Sequence, residues 1–327
     1  MHAPRFWSGG DGGWPARLLA PAAALYTLAT ARRMRGTGWR APVPVLCCGN
    51  LTAGGAGKTT VALDLAARLV ARGRHVHILT RGYGGRARGP LLVDPARHSA
   101  AEVGDEALLL ARVAPCHVSA DRAAGARAAV AAGADCLVMD DGFQNPGLRQ
   151  DMGLLVIDGG SGFGNGHVLP AGPLREPVAQ GCRRARAAIL IGGDRTGALA
   201  HLPPALPVLR ADLAMQEAAP MLAGRPAIAF AGIGRPDKFF DGLRAQGIRL
   251  AACLPFPDHH AYRPRDVRRL SAMAAVQGAV LLTTPKDAVR LPPAIRAQVR
   301  SVDVTLAWAD PMAPERLLDM WLDKASS

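Results

Sequence analysis

The chain has 327 residues, 49% of them hydrophobic and only 5% aromatic, with a formal net charge of +13. That much apolar material supports one large domain or two ordinary ones and excludes a globally disordered chain. The basic excess calls for an anionic partner (nucleic acid, anionic lipid or a phosphorylated substrate) and does not choose among them.

The first feature along the chain is an apolar run from Leu18 to Ala31, preceded by Arg17 and followed by Arg32, Arg33, Arg35 and Arg40. Residues 1–40 carry six arginines against Asp11 alone, a net of +5. The run falls short of the roughly 20 residues that a bilayer-spanning helix needs. Three readings compete: a helix lying in the headgroup layer of an anionic leaflet, a packed core helix, and a signal peptide with Ala29-Thr30-Ala31 mimicking a cleavage site. Charge heavier after the run than before it, with a nucleotide-type motif following, argues against the signal. The interfacial helix is the expectation.

Short apolar runs then alternate with helical patterns. Strands are expected at Val43–Cys48, His75–Thr80, Cys116–Val118, Leu137–Met139, Leu154–Ile157 and Ile189–Ile191, with helices at Lys58–Ala71, Gly104–Val113 and Asp121–Ala132. This alternation argues for an α/β fold with a parallel sheet covered on both faces. It loosens through the Pro-rich stretch 202–207 and the extended stretch 208–214. A second set begins at Ala227–Ala231, with helices after Pro236 and Pro264 and strands near Leu250 and at Ala279–Thr283. The expected organisation is therefore a membrane-associating segment at 1–40, a nucleotide domain at 41–217 and a smaller α/β domain at 218–327. The six cysteines form no CxxC pair and read as reduced core thiols of a cytoplasmic protein.

The strongest motif is Gly49-Asn-Leu-Thr-Ala-Gly-Gly-Ala-Gly-Lys-Thr-Thr60, which follows a strand and opens a helix. In that context a Gly-rich loop wraps phosphate with backbone N–H groups at a helix N-terminus. The loop proper is Thr52, Ala53, Gly54, Gly55, Ala56, Gly57, Lys58, Thr59 and Thr60. Lys58 reaches β/γ oxygens and the Thr59 hydroxyl suits Mg²⁺. Thr52 stands where a strict P-loop pattern has its first glycine. Asp140 and Asp141 end an apolar strand at the sheet edge where ligands gather. On a strand they face opposite ways, so one suits Mg²⁺ and the other a hydroxyl. Gly104-Asp-Glu106 reads equally well as a helix cap. Asp258-His259-His260, taken alone, reads more readily as plain surface than as a site. No nucleic-acid module and no guanine-reading Asn-Lys-x-Asp motif is legible.

Taken in order, these segments resemble the bacterial lipid A 4′-kinase (tetraacyldisaccharide 4′-kinase) family. The resemblance rests on the P-loop run, Arg81-Gly-Tyr83, Gly104-Asp-Glu106, Asp140-Asp-Gly-Phe-Gln144, Leu169-Pro-Ala-Gly-Pro-Leu-Arg-Glu176, Phe256-Pro-Asp-His259 and Thr284-Pro-Lys-Asp287. Thr52 is normal for that family. Asn145 departs from it, standing where a histidine is usual. The resemblance implies a P-loop NTPase-type parallel sheet, a smaller Rossmann-like domain and an active site between them. It implies transfer of the ATP γ-phosphoryl group to the 4′-hydroxyl of a tetraacyl disaccharide 1-phosphate at the cytoplasmic face of the inner membrane. Carried over, Asp105 and His259 form a catalytic pair, with Lys58, Asp140 and Asp141 assisting. Thr59, Asp140, Asp141 and Glu176 are the metal candidates. Asn50, Arg81, Tyr83, Arg122, Gln144 and Arg175 are the substrate contacts. The rival class is a P-loop switch ATPase acting on a protein or DNA. Oligomeric state is open.

Overall fold

In the computed structural model, residues 4–8 and 10–325 are described. The chain opens with helix α1 (Gly13–Arg33), longer at its N-terminal end than the apolar run alone suggests. It continues through β1 (Val45–Gly49), α2 (Lys58–Ala71), β2 (Val76–Thr80), β3 (Leu91–Leu92), α3 (Ala100–Val103), α4 (Asp105–Leu110), β4 (Cys116–Val118), α5 (Arg122–Ala131), β5 (Cys136–Asp140), β6 (Met152–Asp158), α6 (Val178–Cys182), β7 (Ala185–Ile191) and β8 (Val208–Met215). A second set follows: β9 (Ala227–Ala231), α7 (Pro236–Ala245), β10 (Leu250–Pro255), α8 (Pro264–Gln277), β11 (Val280–Thr283), α9 (Pro285–Ala288), α10 (Pro293–Arg296) and β12 (Val299–Ser301). The described chain ends with β13 (Val304–Trp308) and α11 (Ala313–Ala325).

The described strands form two sheets. The large one has nine strands in the order β13-β8-β7-β6-β1-β5-β2-β4-β3, and the small one has four in the order β10-β9-β11-β12. Every ladder is parallel except β13 on β8 and β3 on β4 at the two edges of the large sheet. Strands β1, β2 and β5 are buried along their whole length. This is why they read as continuous apolar runs rather than alternations: helices cover both faces of a parallel sheet. One face packs Leu46, Val61, Leu65, Ile78 and Val138 under α2; the other packs Cys47, Leu79, Ala126, Leu137 and Phe143 under α5.

The strand pairing departs from the expected small domain at 218–327. The small sheet ends at Ser301, and β13 crosses back to pair with β8 in the large sheet. Polar contacts stitch the returning segment to α2: Trp308 Nε1 donates to Asp64 at 3.0 Å, and Arg72 pairs with Asp319 at 2.7 Å. Trp321 is buried beneath it. The stretch 304–308 reads weakly in sequence because an antiparallel edge strand buries only alternate residues.

Helix α1 docks by a narrow seam. Ala16, Ala23 and Thr30, two turns apart each time, are buried, and Ala16 and Ala23 pack with Ala171. Trp14, Leu18, Leu25 and Leu28 are exposed; at 100° per residue they share the opposite side. Among the described residues no helix is long and apolar enough to cross a membrane.

The helix expected at Gly104–Val113 is the shorter α4 (Asp105–Leu110), and a further short helix, α3, which the sequence reading did not place, precedes it across a break at Gly104 with φ +88°. A Cβ there would meet the Tyr83 carbonyl at 2.5 Å, so only glycine allows the turn. The break makes Asp105 the first residue of α4.

Candidate active site

The phosphate loop runs from β1 into α2. It is braced by the 168–176 segment: Ala53 N–H donates to Pro173 O and Arg175 N–H to Leu51 O, both at 2.7 Å, and Thr52 bridges Leu174. Asn50 ties the loop internally, its amide donating to Thr52 Oγ1 at 3.1 Å. Gly54 and Gly57 have φ +139° and +83°, and Gly54 and Gly55 line open space. Lys58, Thr59 and Thr60 form the first turn of α2. Lys58 is only 9% exposed.

The two aspartates at the end of β5 take different partners: Asp140 is the last strand residue, and Asp141 lies beyond the strand. Asp140 is 1% exposed and accepts from the Thr59 hydroxyl at 3.1 Å, while its Oδ1 is buried without a hydrogen-bond partner. Burial, together with the Glu106 charge, holds its proton affinity up, to about 7, against the pull of Lys58. Asp141 sits in the left-handed region with φ +51°. It faces Lys58 Nζ at 3.7 Å and accepts a two-pronged contact from Arg175 at 2.7 and 3.2 Å. Burial alone would raise its carboxyl, but Lys58 and Arg175 outweigh it and the net shift is downward.

Gln144 connects this centre to a second layer. Its amide donates to Asn50 O at 2.8 Å and to Glu176 Oε1 at 2.9 Å, and its carbonyl accepts from Arg175 at 3.3 Å. Glu176 is buried and paired with Arg184 at 2.6 Å. It is thus engaged by Gln144 and Arg184 rather than by Thr59 and Asp140, unlike the expected metal set. Among the described residues no three or more His, Cys, Asp or Glu side chains cluster to hold a metal.

The second centre is the junction between the sheets. Asp105 Oδ1 accepts the Glu106 N–H at 3.0 Å, and its Oδ2 lies 3.2 Å from His259 Nδ1 and 3.1 Å from Arg290 Nη2. These two Oδ2 contacts are close but off the hydrogen-bond direction, leaving that oxygen without an aligned donor. Beside them Lys286 pairs with Glu106 at 2.7 Å. Burial pushes the Asp105 carboxyl up; His259, Lys286 and Arg290 overcome it and hold it down, at about 2. Contact with Asp105 raises the His259 imidazole in spite of its partial burial. His259 itself adopts φ +55° in the loop after β10, and its ring lies 6.0 Å from that of Tyr83.

The model of tetraacyldisaccharide-1-P 4′-kinase matches residues 15–323. The chain belongs to the tetraacyldisaccharide-1-P 4′-kinase family. It is 55% identical over 317 residues to the tetraacyldisaccharide 4′-kinase of Gluconobacter oxydans, covering 97% of each chain. It is 56% identical over 325 residues to that of Rhodospirillum centenum, covering 97% of this chain and 96% of the relative. Among solved structures it is similar to LpxK from Aquifex aeolicus, crystallised in complex with ATP. That match has a TM-score of 0.75 and 26% identity, over 95% of this chain and 99% of the other. Membership makes this chain a kinase, and the switch-ATPase alternative falls away.

Within this kinase fold, the remaining candidates sit at different depths. Arg122 is buried at the start of α5 and donates to Ser119 O; burial first of all lowers its proton affinity. Arg81 and Tyr83 are exposed on the segment after β2. Asn145, in place of the usual histidine, accepts from Gly147 N–H at 2.9 Å and so serves a turn. The sequence reading missed Arg290 altogether and left Lys286 without a role. Lys286 lay inside the Thr284-Pro-Lys-Asp287 motif, whereas Arg290 carried no local signal.

Proposed function

We propose that this kinase transfers the γ-phosphoryl group of ATP to the 4′-hydroxyl of tetraacyldisaccharide 1-phosphate, with the P-loop holding the phosphates and Asp105 facing the acceptor hydroxyl. The observation that carries this reading is the Asp105–His259 pair, assembled from both sheets close to the P-loop centre. Glu106, the neighbour of Asp105, lies near enough to Asp140 for its charge to act there.

Each residue then has work suited to its surroundings. Lys58 exchanges its Asp141 contact for phosphate oxygens, and Arg175 continues to neutralise Asp141. Mg²⁺ would supply charge neutralisation between the phosphates. It takes most of its ligands from water and phosphate, so one hydroxyl and a carboxylate suffice on the protein side. Thr59 and the unpartnered Oδ1 of Asp140 fit that demand, with Asp141 and Glu176 in supporting positions. Asp105 is a weak base, but a loose phosphoryl-transfer transition state asks little proton removal from the nucleophile and much positioning. His259 orients Asp105 and takes up charge. Asn50, Arg81, Tyr83, Arg122, Gln144 and Arg175 are assigned to the disaccharide and its phosphate.

The glycolipid lives in a membrane, and α1 offers a way to reach it. Its exposed Trp14, Leu18, Leu25 and Leu28 face away from the docked seam, and Arg17, Arg32, Arg33 and Arg35 flank them. We assign this face to the headgroup layer of an anionic leaflet, the cytoplasmic side of the inner membrane. The test of the whole reading is radiolabelled ATP with tetraacyldisaccharide 1-phosphate in mixed micelles. Label should enter the glycolipid. ATP hydrolysis indifferent to glycolipid would overturn the assignment.

A further inference from the structure

Arg290 lies just past α9 in the small unit, and its side chain is 6% exposed. Its Nη1 donates to Gly232 O at 2.9 Å and to Asp287 Oδ1 at 3.1 Å, while its Nη2 stands 3.1 Å from Asp105 Oδ2. Asp287 is wholly buried and fully committed. It accepts from Gly232 N–H at 2.9 Å, Tyr262 OH at 2.7 Å and Thr284 Oγ1 at 2.6 Å. The guanidinium is therefore fixed at one end by the ends of β9 and β11 and by the segment leading into α8. Its other end projects across the junction to the first residue of α4.

We propose that Arg290 is a positioning residue: clamped by Asp287, it holds the Asp105 carboxylate facing His259 across the junction. Stability alone is a poor reason for this arrangement, because a buried ion pair gains little over apolar packing. The charge count points to the junction instead. Arg290 serves two carboxylates, Asp105 and Asp287, and so leaves one negative charge unbalanced. A protonated His259, which reaches the same oxygen of Asp105 at 3.2 Å, would balance it. Two further charges face this set: Lys286, paired with Glu106 at 2.7 Å, also draws on Asp105, and Asp258, 4.0 Å from the far side of the His259 ring, favours its cation. Arg290 thus works on both members of the pair, favouring the anion of Asp105 and opposing the cation of His259. It also spaces them, since Oδ1 of Asp105 is held by the Glu106 amide and only Oδ2 is left to turn.

The inference rests on the reading in which Asp105 meets the acceptor hydroxyl, so one arm of its test avoids turnover. In full-length R290M, the His259 imidazole followed by NMR with labelled histidine should titrate at higher pH than in wild type, because a neighbouring cation is gone. With glycolipid and ATP, kcat should fall by about 100-fold, the scale of a misplaced reacting group, while KM for ATP stays within about 2-fold. R290K should restore the His259 titration and only part of kcat, because an ammonium cannot hold Asp287, Gly232 O and Asp105 in one plane. Y262F loosens Asp287 and leaves both cations in place, so it should lower kcat without moving the titration. Should R290M fail to fold, R290K and Y262F carry the test through kcat, and kcat within about 2-fold of wild type in both would overturn the proposal. Unaltered His259 titration in R290M, or kcat within 2-fold of wild type in a folded R290M, would overturn the proposal. If wild type itself fails to label the glycolipid, the reading of Asp105 as facing its hydroxyl falls while the titration arm still judges Arg290.

Discussion

His259 Nδ1 lies 3.2 Å from Asp105 Oδ2, and the two belong to different sheets: Asp105 opens α4 beside the large one, and His259 sits in the loop after β10 of the small one. A pair built this way exists only while the two units stay in contact, so under the proposed role of the pair turnover requires that contact. Lys286–Glu106 and Arg290–Asp105 hold the same junction.

Asp105→Ala and His259→Ala should each lower kcat by about 100-fold or more, the usual scale for acid–base groups. The double variant should be little worse than either single, because groups acting as a unit are non-additive. ATP affinity should hardly change. The check is kcat at saturating glycolipid for all three; multiplicative losses would mean the residues act independently.

The junction should also respond to pH in a definite direction. Asp105 is held below its ordinary 3.8, so its contribution is complete above that value and is lost as pH falls toward about 2. His259 is raised above its ordinary 6.5, so its contribution is complete below that value and is lost as pH rises through the raised one. Contact between the units should therefore be tightest between about pH 4 and 6.5. Amide protection near Gly104–Leu110, corrected for intrinsic exchange, should peak in that window, and Asp105→Asn should flatten the profile.

Lys58→Ala should abolish glycolipid phosphorylation while leaving the fold intact. Lys58 is buried at the start of α2 rather than exposed in the loop. Its partner Asp141 nevertheless keeps Arg175 when the lysine is removed. Label incorporation and circular dichroism measure the two halves, and near-normal turnover would sink the P-loop role.

Gly57→Ala tests the loop backbone. At φ +83° an L-residue costs about 1–2 kcal/mol, and the new Cβ would meet Ile191 Cδ1 at 2.5 Å. The Ile191 methyl can move but the backbone angle cannot, so nucleotide affinity should drop together with a modest fall in Tm. Calorimetric titration with ATP and a melting curve would show both; wild-type affinity would mean the loop tolerates another path.

Leu18→Ser, Leu25→Ser and Leu28→Ser together should release the protein from anionic liposomes and spare ATP binding, because these side chains are exposed and the Ala16–Ala23–Thr30 seam is untouched. Binding by wild type should weaken with salt, since the Debye length is about 10 Å at 0.1 M. Unchanged flotation of the triple variant would remove α1 from the membrane.

The sequence by itself determined what is written locally. A strand, a Gly-rich turn and a helix start specify a phosphate loop at 49–60 because backbone N–H groups do the binding, and neighbours in sequence supply them. Continuous apolar runs at β1, β2 and β5 specify buried parallel strands. Adjacent Asp140 and Asp141 were legible as a carboxylate pair at a strand end, but their divergence comes from the left-handed turn at Asp141, not from strand alternation. Tertiary structure decided whatever depends on residues far apart in the chain. It returned β13 and α11 to the large sheet through Trp308 and Arg72. It bound Glu176 to Gln144 and Arg184, and it recruited Arg290, whose role comes from a carboxylate on the other unit. Asp105 alone could have been an ordinary helix-start residue and His259 an ordinary loop residue. Burial of Asp105 at the junction makes its charge costly, and only a fold that brings His259 and Arg290 within about 3.2 Å compensates it.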